Sequence, residues 1–219
     1  MEGALRAARQ ALLLFFLASC GGASAAGVVT DPSLPGSAPT GIPGPAGGPV
    51  ELLASALDLN DLHIVLQSTS LRQVQERLGG SVSQQGDAGV AVRSLCYYQP
   101  HSANPWVLWL ESSELYRGDV IHGFRLARLA AGAQPDASCI PMRARSDPVL
   151  AGVRLGEPQE QLIATLGPPA NETPGTLLFL RARLIEIEET LFTVSSRVFI
   201  RLRAGQVESI EASKSTSIA

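Results

Sequence analysis

The pattern of apolar and polar positions changes period several times along the chain. Residues Ala11-Leu12-Leu13-Leu14-Phe15-Phe16-Leu17 form one continuous apolar run, and no periodic pattern follows from Gly21 to about Val50. Helical spacing sets in over Ser70-Leu71-Arg72-Gln73-Val74-Gln75-Glu76-Arg77-Leu78-Gly79 and again over Pro158-Gln159-Glu160-Gln161-Leu162-Ile163-Ala164-Thr165-Leu166-Gly167. Each stretch has an apolar residue, Val74 or Leu162, with Leu-Gly beginning four residues later. Each predicts a short amphipathic helix closed by a glycine suited to the left-handed C′ position. Ser70 with Gln73 predicts a capping box, and Pro158 fits the first turn of the second helix. Strand-like segments follow the first helix at Val90–Tyr98, Trp106–Glu111 and Val120–Leu129, and the second at Thr176–Ile187, Thr193–Arg203 and Gln206–Ala212. Val198, Ile200 and Leu202 alternate with Phe199, Arg201 and Arg203, as in a half-buried strand, and Ala204-Gly205 supplies a tight turn.

Helix and then antiparallel strands, twice over, predict an α+β fold. The expected architecture is two tandem units, each a short helical segment packed on an antiparallel β-sheet, after a disordered tether. The expected boundaries are 1–19, 20–52, 53–143 and 144–219. Two unrelated helices that share common end signals are the alternative to a duplication.

Composition separates the N-terminal fifth of the chain from the rest. Arg6 and Arg9 precede the apolar run, and the small residues Ala18 and Ser19 lead into Cys20. The run is much shorter than the roughly 20 residues of a transmembrane helix, and its flanks are those of a cleaved targeting segment. Beyond Cys20, glycine, alanine, serine and proline dominate, with Pro32, Pro35, Pro39, Pro43, Pro45 and Pro49 spread along the segment. Such a stretch cannot bury enough apolar surface to offset its ordering entropy, so a tether is expected. The formal net charge is −3, with no long run of either sign, which speaks against nucleic acid as a partner.

The junction Leu17-Ala18-Ser19-Cys20 resembles the lipobox of bacterial lipoproteins. That resemblance implies cleavage before Cys20, a thioether-linked diacylglycerol on its sulfur and N-acylation of the new terminus. Several acyl chains give stable anchoring, so the membrane is an expected partner through this lipid. Gly21 and Gly22 stand where an aspartate retains many lipoproteins at the inner membrane. The implied location is therefore the periplasmic face of the outer membrane. An ordinary secretory signal with an incidental cysteine is the alternative. In an exported chain the remaining cysteines, Cys96 and Cys139, suggest a disulfide, with two buried thiols as the alternative.

A second resemblance lies in Val153-Arg154-Leu155-Gly156-Glu157-Pro158-Gln159-Glu160-Gln161-Leu162, followed by Leu166-Gly167-Pro168-Pro169. These residues look like the helix signature of the SmpA/OmlA (BamE-like) family. Pro158 stands where that signature has a capping Ser or Thr, and Ser81 stands where the first copy would have the final proline. Two tandem copies also resemble the β-lactamase-inhibitor proteins, whose halves are similarly built. The family resemblance implies the fold and a role in outer-membrane protein assembly.

Catalytic patterns are absent from the sequence. His63, His101 and His122 are scattered, with no HExxH spacing and no GxSxG elbow. There is no CxxC or histidine pair for a metal, and nothing calls for a cofactor. Two candidate surfaces remain. Arg181, Arg183, Arg201 and Arg203 fall at two-residue spacing on two predicted strands, and in-register pairing would gather four guanidinium groups for lipid phosphate or an acidic partner. A solvated face paired with Glu186, Glu188, Glu189 and Glu208 is the alternative. Tyr97, Tyr98, Trp106, Trp109 and Tyr116 concentrate in the first unit, as interface anchors or as core. Trp106 and Trp109 fall on opposite faces of a strand, so one of them is exposed or covered by a partner. The expected function is a non-catalytic, lipid-anchored periplasmic scaffold or accessory factor that binds an envelope protein. An inhibitor or regulator of a periplasmic hydrolase is the alternative, and an enzyme of unrecognised type is the third class.

Overall fold

The computed structural model describes residues 55–87, 90–101, 104–116, 118–130, 133, 135–143, 146–150 and 152–219. The signal peptide, Cys20 and the linker, expected over 1–52, lie outside these residues.

Period-two patterning produces most of the structure. The first hairpin pairs β1 (Ala56–Leu59) with β2 (Leu62–Val65), turning at Asn60-Asp61, where Asn60 takes a φ of 55°. Helix α1 (Leu71–Leu78) leads to β3 (Ser83–Gln85), β4 (Val92–Gln99), β5 (Trp106–Ser113) and β6 (Ile121–Arg128). Two short strands follow, β7 (Ile140–Pro141) and β8 (Val149–Leu150). Helix α2 (Gln159–Leu166) then leads to β9 (Asn171–Thr173), β10 (Thr176–Ile187), β11 (Thr190–Arg203) and β12 (Gln206–Ile218).

The large sheet runs in the order β3-β4-β5-β6-β12-β11-β10-β9, with β7 added in parallel to β4, and β2-β1-β8 form a second, small sheet. Sequence halves meet at β6 and β12, paired antiparallel from Gly123↔Ser213 to Ala127↔Ser209. On either side of that seam the strand order is mirrored. One core cluster takes Leu57, Leu59 and Ile64 from the small sheet and Leu71, Val74, Leu162 and Leu166 from the helices. From the large sheet it takes Tyr97, Trp106, Leu108, Phe124, Leu126, Phe179, Val198, Ile200 and Ile210.

Among the described residues strand outweighs helix by 56% to 12%, so the fold is mostly antiparallel β-sheet and the expected α+β tandem of helix packed on sheet is overturned. The helices are eight residues each and bury two residues apiece. Helical apolar spacing over two turns is too short to carry a layer, whereas strands of twelve to fourteen residues, β10 to β12, dominate the burial. The small sheet also takes part of the covering role that the sequence reading gave to helices.

Local signals act where they occur. Ser70 Oγ accepts from the Gln73 N–H at 3.2 Å, and Gln73 Oε1 accepts from the Ser70 N–H at 2.8 Å, closing the capping box. Pro158 is the N-cap itself, one position before the helix, and makes no side-chain cap. The C-terminal glycines differ from the left-handed expectation. Gly79 has φ 77° and ψ −165°, and Gly167 has φ 80° and ψ −170°, an extended conformation of positive φ that is almost confined to glycine. Ser70→Ala is expected to lower unfolding free energy by about 1 kcal/mol; urea denaturation of both proteins measures it, and an unchanged midpoint would show that the cap contributes nothing.

Candidate functional site

Successive side chains of a strand point to opposite faces, and the registers therefore sort the residues of the large sheet, apart from shifts at Glu111/Ser112 and Arg201/Leu202. Tyr97 and Trp106 fall on the covered face and are fully buried. The Tyr97 hydroxyl donates to the Gly79 carbonyl at 2.9 Å, and burial pushes its pKa up to about 12. Neither ring is available to a partner. Tyr98 and Trp109 fall on the opposite, open face, half-buried around a second apolar cluster of Cys96, Val107, Cys139, Ala127 and Leu129. Tyr116 ends a short 3-10 turn, Glu114–Tyr116, and its side chain lies outside the described residues.

The open face is organised in rows that cross the seam. The middle row reads Cys96, Trp109, Arg125, Glu211, Phe199, Leu178, each opposite the next on the neighbouring strand. A parallel row reads Ser94, Glu111, Gly123, Ser213, Arg197, Leu180. The Arg125 guanidinium lies over the Trp109 ring at 4.2 Å from its centroid, and Arg197 and Arg201 flank Phe199 at 5.9 and 5.7 Å. Guanidinium groups over aromatic faces are attracted by the ring quadrupole and held in place. Each half of the sheet thus carries one aromatic ring braced by arginine.

Between them the surface dips. Gly123 has no side chain, and a Cβ there would meet the Ala212 carbonyl at 3.4 Å and Glu111 Oε2 at 3.9 Å. The resulting groove, about 210 Å³, is walled by Glu111 and Arg125 on one side and by Arg197, Phe199 and Glu211 on the other. Burial raises the Glu111 pKa, Arg125 pulls it down, and Glu211 raises it further. A polar group entering the groove would meet carboxylate acceptors and guanidinium donors within the same small volume, which suits recognition of a partner's side chain.

The four sequence-predicted arginines do not share a face. In the β10–β11 ladder Arg181 stands opposite Ser196 and Arg183 opposite Val194, whereas Arg201 stands opposite Thr176. Arg201 and Arg203 belong to the open face, where Arg203 pairs with Glu208. Arg181 and Arg183 point to the other side. There Arg181 donates to the Leu166 carbonyl at 3.2 Å, closing the end of α2. Burial, and then the nearby Arg183, lower the pKa of Lys214. The expected cluster of four is therefore corrected to two separate pairs. Arg125, Arg197, Phe199, Glu111 and Glu211 escaped the sequence reading, although extending the alternation of Phe199, Arg201 and Arg203 one step back reaches Arg197.

Cys96 and Cys139, 43 residues apart, form a disulfide with Cα atoms 4.4 Å apart. It closes a loop worth roughly 4 kcal/mol in the chain-entropy model. The bond lies beneath the Trp109 and Tyr98 cluster and holds the segment containing β7 beside β4.

Because its folded pKa is raised, Glu111 contributes stability below its unfolded pKa that is lost as pH rises through the folded value. Glu111→Gln should remove that dependence, so the stability difference, variant minus wild type, should grow from pH 4 to pH 7. Thermal melts at stepped pH measure it, and a difference independent of pH would contradict the burial of this carboxyl. Comparison with protein-family models, curated proteins and solved structures finds no match to this chain.

Proposed function

We propose that this chain is a non-catalytic, lipid-anchored periplasmic protein whose sheet docks a protein of the cell envelope, as a scaffold or accessory factor. The observation that carries the reading is the pair of arginine-braced rings, Trp109 and Phe199, facing outward on either side of the Gly123 groove. Aromatic and arginine side chains dominate the energetics of protein interfaces, and rings held on paired strands lose little freedom on binding. Acidic and basic groups alternate around the groove, which favours a polar protein surface over anionic lipid alone. The anchor rests on the sequence, on Cys20 and the residues before it, and so does the resemblance to SmpA/OmlA proteins.

A second reading, inhibition or regulation of a periplasmic hydrolase, draws support from the mirrored strand order about the β6–β12 seam. One experiment separates them. A photo-crosslinking residue replaces Phe199 in the full chain, and in a control it replaces Arg72, which is exposed on α1. The proposal expects a discrete envelope-protein adduct from position 199 that is absent from position 72 and weakened at least tenfold by Trp109→Ala. Adducts that require Cys20 support the scaffold, whereas one soluble enzyme captured with and without Cys20→Ala supports the inhibitor. Identical adduct patterns from positions 199 and 72, or none from 199, would sink the docking face.

A further inference from the structure

Strand β10 is twelve residues long, but its outer neighbour β9 pairs only with Thr176, Leu177 and Leu178. The alternation of backbone groups is set by two hydrogen bonds. The Gly175 carbonyl accepts from Leu202 on β11 at 2.8 Å, and the Leu178 carbonyl accepts from Ala170 on the outer side at 2.7 Å. Leu180, Ala182, Leu184 and Glu186 therefore turn both N–H and C=O groups outward. The guanidinium of Arg181 takes the Leu180 carbonyl at 2.9 Å, and among the described residues no strand pairs with β10 beyond that point on this side. No proline and no bulge interrupts the stretch. Leu184, Ile187 and Leu191 are 64%, 51% and 50% exposed.

Other edge segments of the large sheet are shorter. β3 and β7 pair with Val92–Ser94 and Tyr97–Tyr98 of β4, and Gln67 donates to the Lys214 carbonyl where β12 runs past β6. An open, apolar strand edge is a template for another strand. Its charges indicate which one. Arg181 and Arg183 lie toward the start of the open stretch, and Glu186, Glu188 and Glu189 toward its end. Run antiparallel against itself, the stretch brings the turn carboxylates of one copy, Glu188 and Glu189, to the Arg181 and Arg183 end of the other. Three carboxylates at the tip oppose insertion into an anionic lipid surface.

We propose that β10 pairs antiparallel with β10 of a second copy of this chain, centred on Ile185. In that register Ile185 faces Ile185, Arg183 faces Ile187, and Leu184 and Glu186 exchange the outward hydrogen bonds, with the Glu188-Glu189 turn of each copy just beyond the paired residues, at the Arg181 end of the other. A twofold axis normal to the sheet relates the copies, so both open faces lie on one side and the docking surface is doubled. This pairing is independent of what that surface binds.

The test uses the full chain. Ile185 occupies a non-hydrogen-bonded position, where facing Cα atoms approach within disulfide reach. Ile187 faces Arg183, and its two copies are roughly 14 Å apart. After mild oxidation, Ile185→Cys should give a species of twice the chain mass on a non-reducing gel, and Ile187→Cys should not. Leu184→Pro removes an outward N–H without breaking a bond to β11. Added to Ile185→Cys, it should cut the dimer at least tenfold while the melting transition persists. No dimer from Ile185→Cys, equal dimer from Ile187→Cys, or an adduct of Ile185→Cys with a different protein would each overturn the pairing. The two cysteine variants decide it even if the proline variant fails to fold.

Discussion

Pairing of β6 with β12, from Gly123↔Ser213 to Ala127↔Ser209, is the constraint on which both sides of the large sheet depend. On the covered side it aligns Phe124 and Leu126 with Ala212 and Ile210, all inside the larger core cluster. A slip of one residue would turn that set to solvent and bring Arg125 and Glu211 into the core, where unpaired charge is costly. The register is therefore held by burial on one side and by charge on the other. Small residues on the open side, Gly123, Ala127, Ser209 and Ser213, keep the seam low, so the groove follows directly from the pairing.

The same seam places the arginine-braced rings on equivalent sides of the groove. Trp109 lies one strand beyond β6 and Phe199 one strand beyond β12, in a single cross-strand row. Trp109 stood out by its chemistry, but its alignment with Phe199 could not be recognised without knowing that β6 and β12 pair, since that contact joins residues more than eighty positions apart in the chain. The disulfide adds to this precision. By tying Cys139 to Cys96 on the open face, it braces the Trp109 side without occupying the groove.

How much was readable from sequence varied with the range of the determining interaction. Thr176–Ile187 was legible to its ends because apolar content and flanking turn residues are local. The capping box was legible for the same reason. β1, β2 and β8 were not, although Leu57, Leu59 and Ile64 are fully buried, because runs of two to four residues give too few positions to establish a period. The arginine cluster failed on a matter of parity. A two-residue turn, here Glu188-Glu189, always pairs an odd-numbered residue with an even-numbered one. Arg181, Arg183, Arg201 and Arg203 are all odd, so a turn of that length must divide them between faces. The turn was the missing piece, because both glutamates take positive φ where Asn-Gly would have announced it.

That turn also explains why the far end of the sheet differs from its centre. Toward the tip the covered-side positions of the β10–β11 hairpin pass from Phe179 and Val198, both buried, to Arg183, Ile185 and Ile187. The core ends while the ladder continues, since β10 and β11 remain paired through Ile187↔Thr190. Backbone hydrogen bonds and cross-strand contacts extend a ribbon, but a ribbon without a covering layer is only marginally stable by itself. Here β12 provides a third strand as far as Ile218, opposite Phe192. The arm is therefore held by its neighbour on one edge and left open on the other, and that asymmetry makes the outer edge of β10 the place where another strand would add most to the sheet.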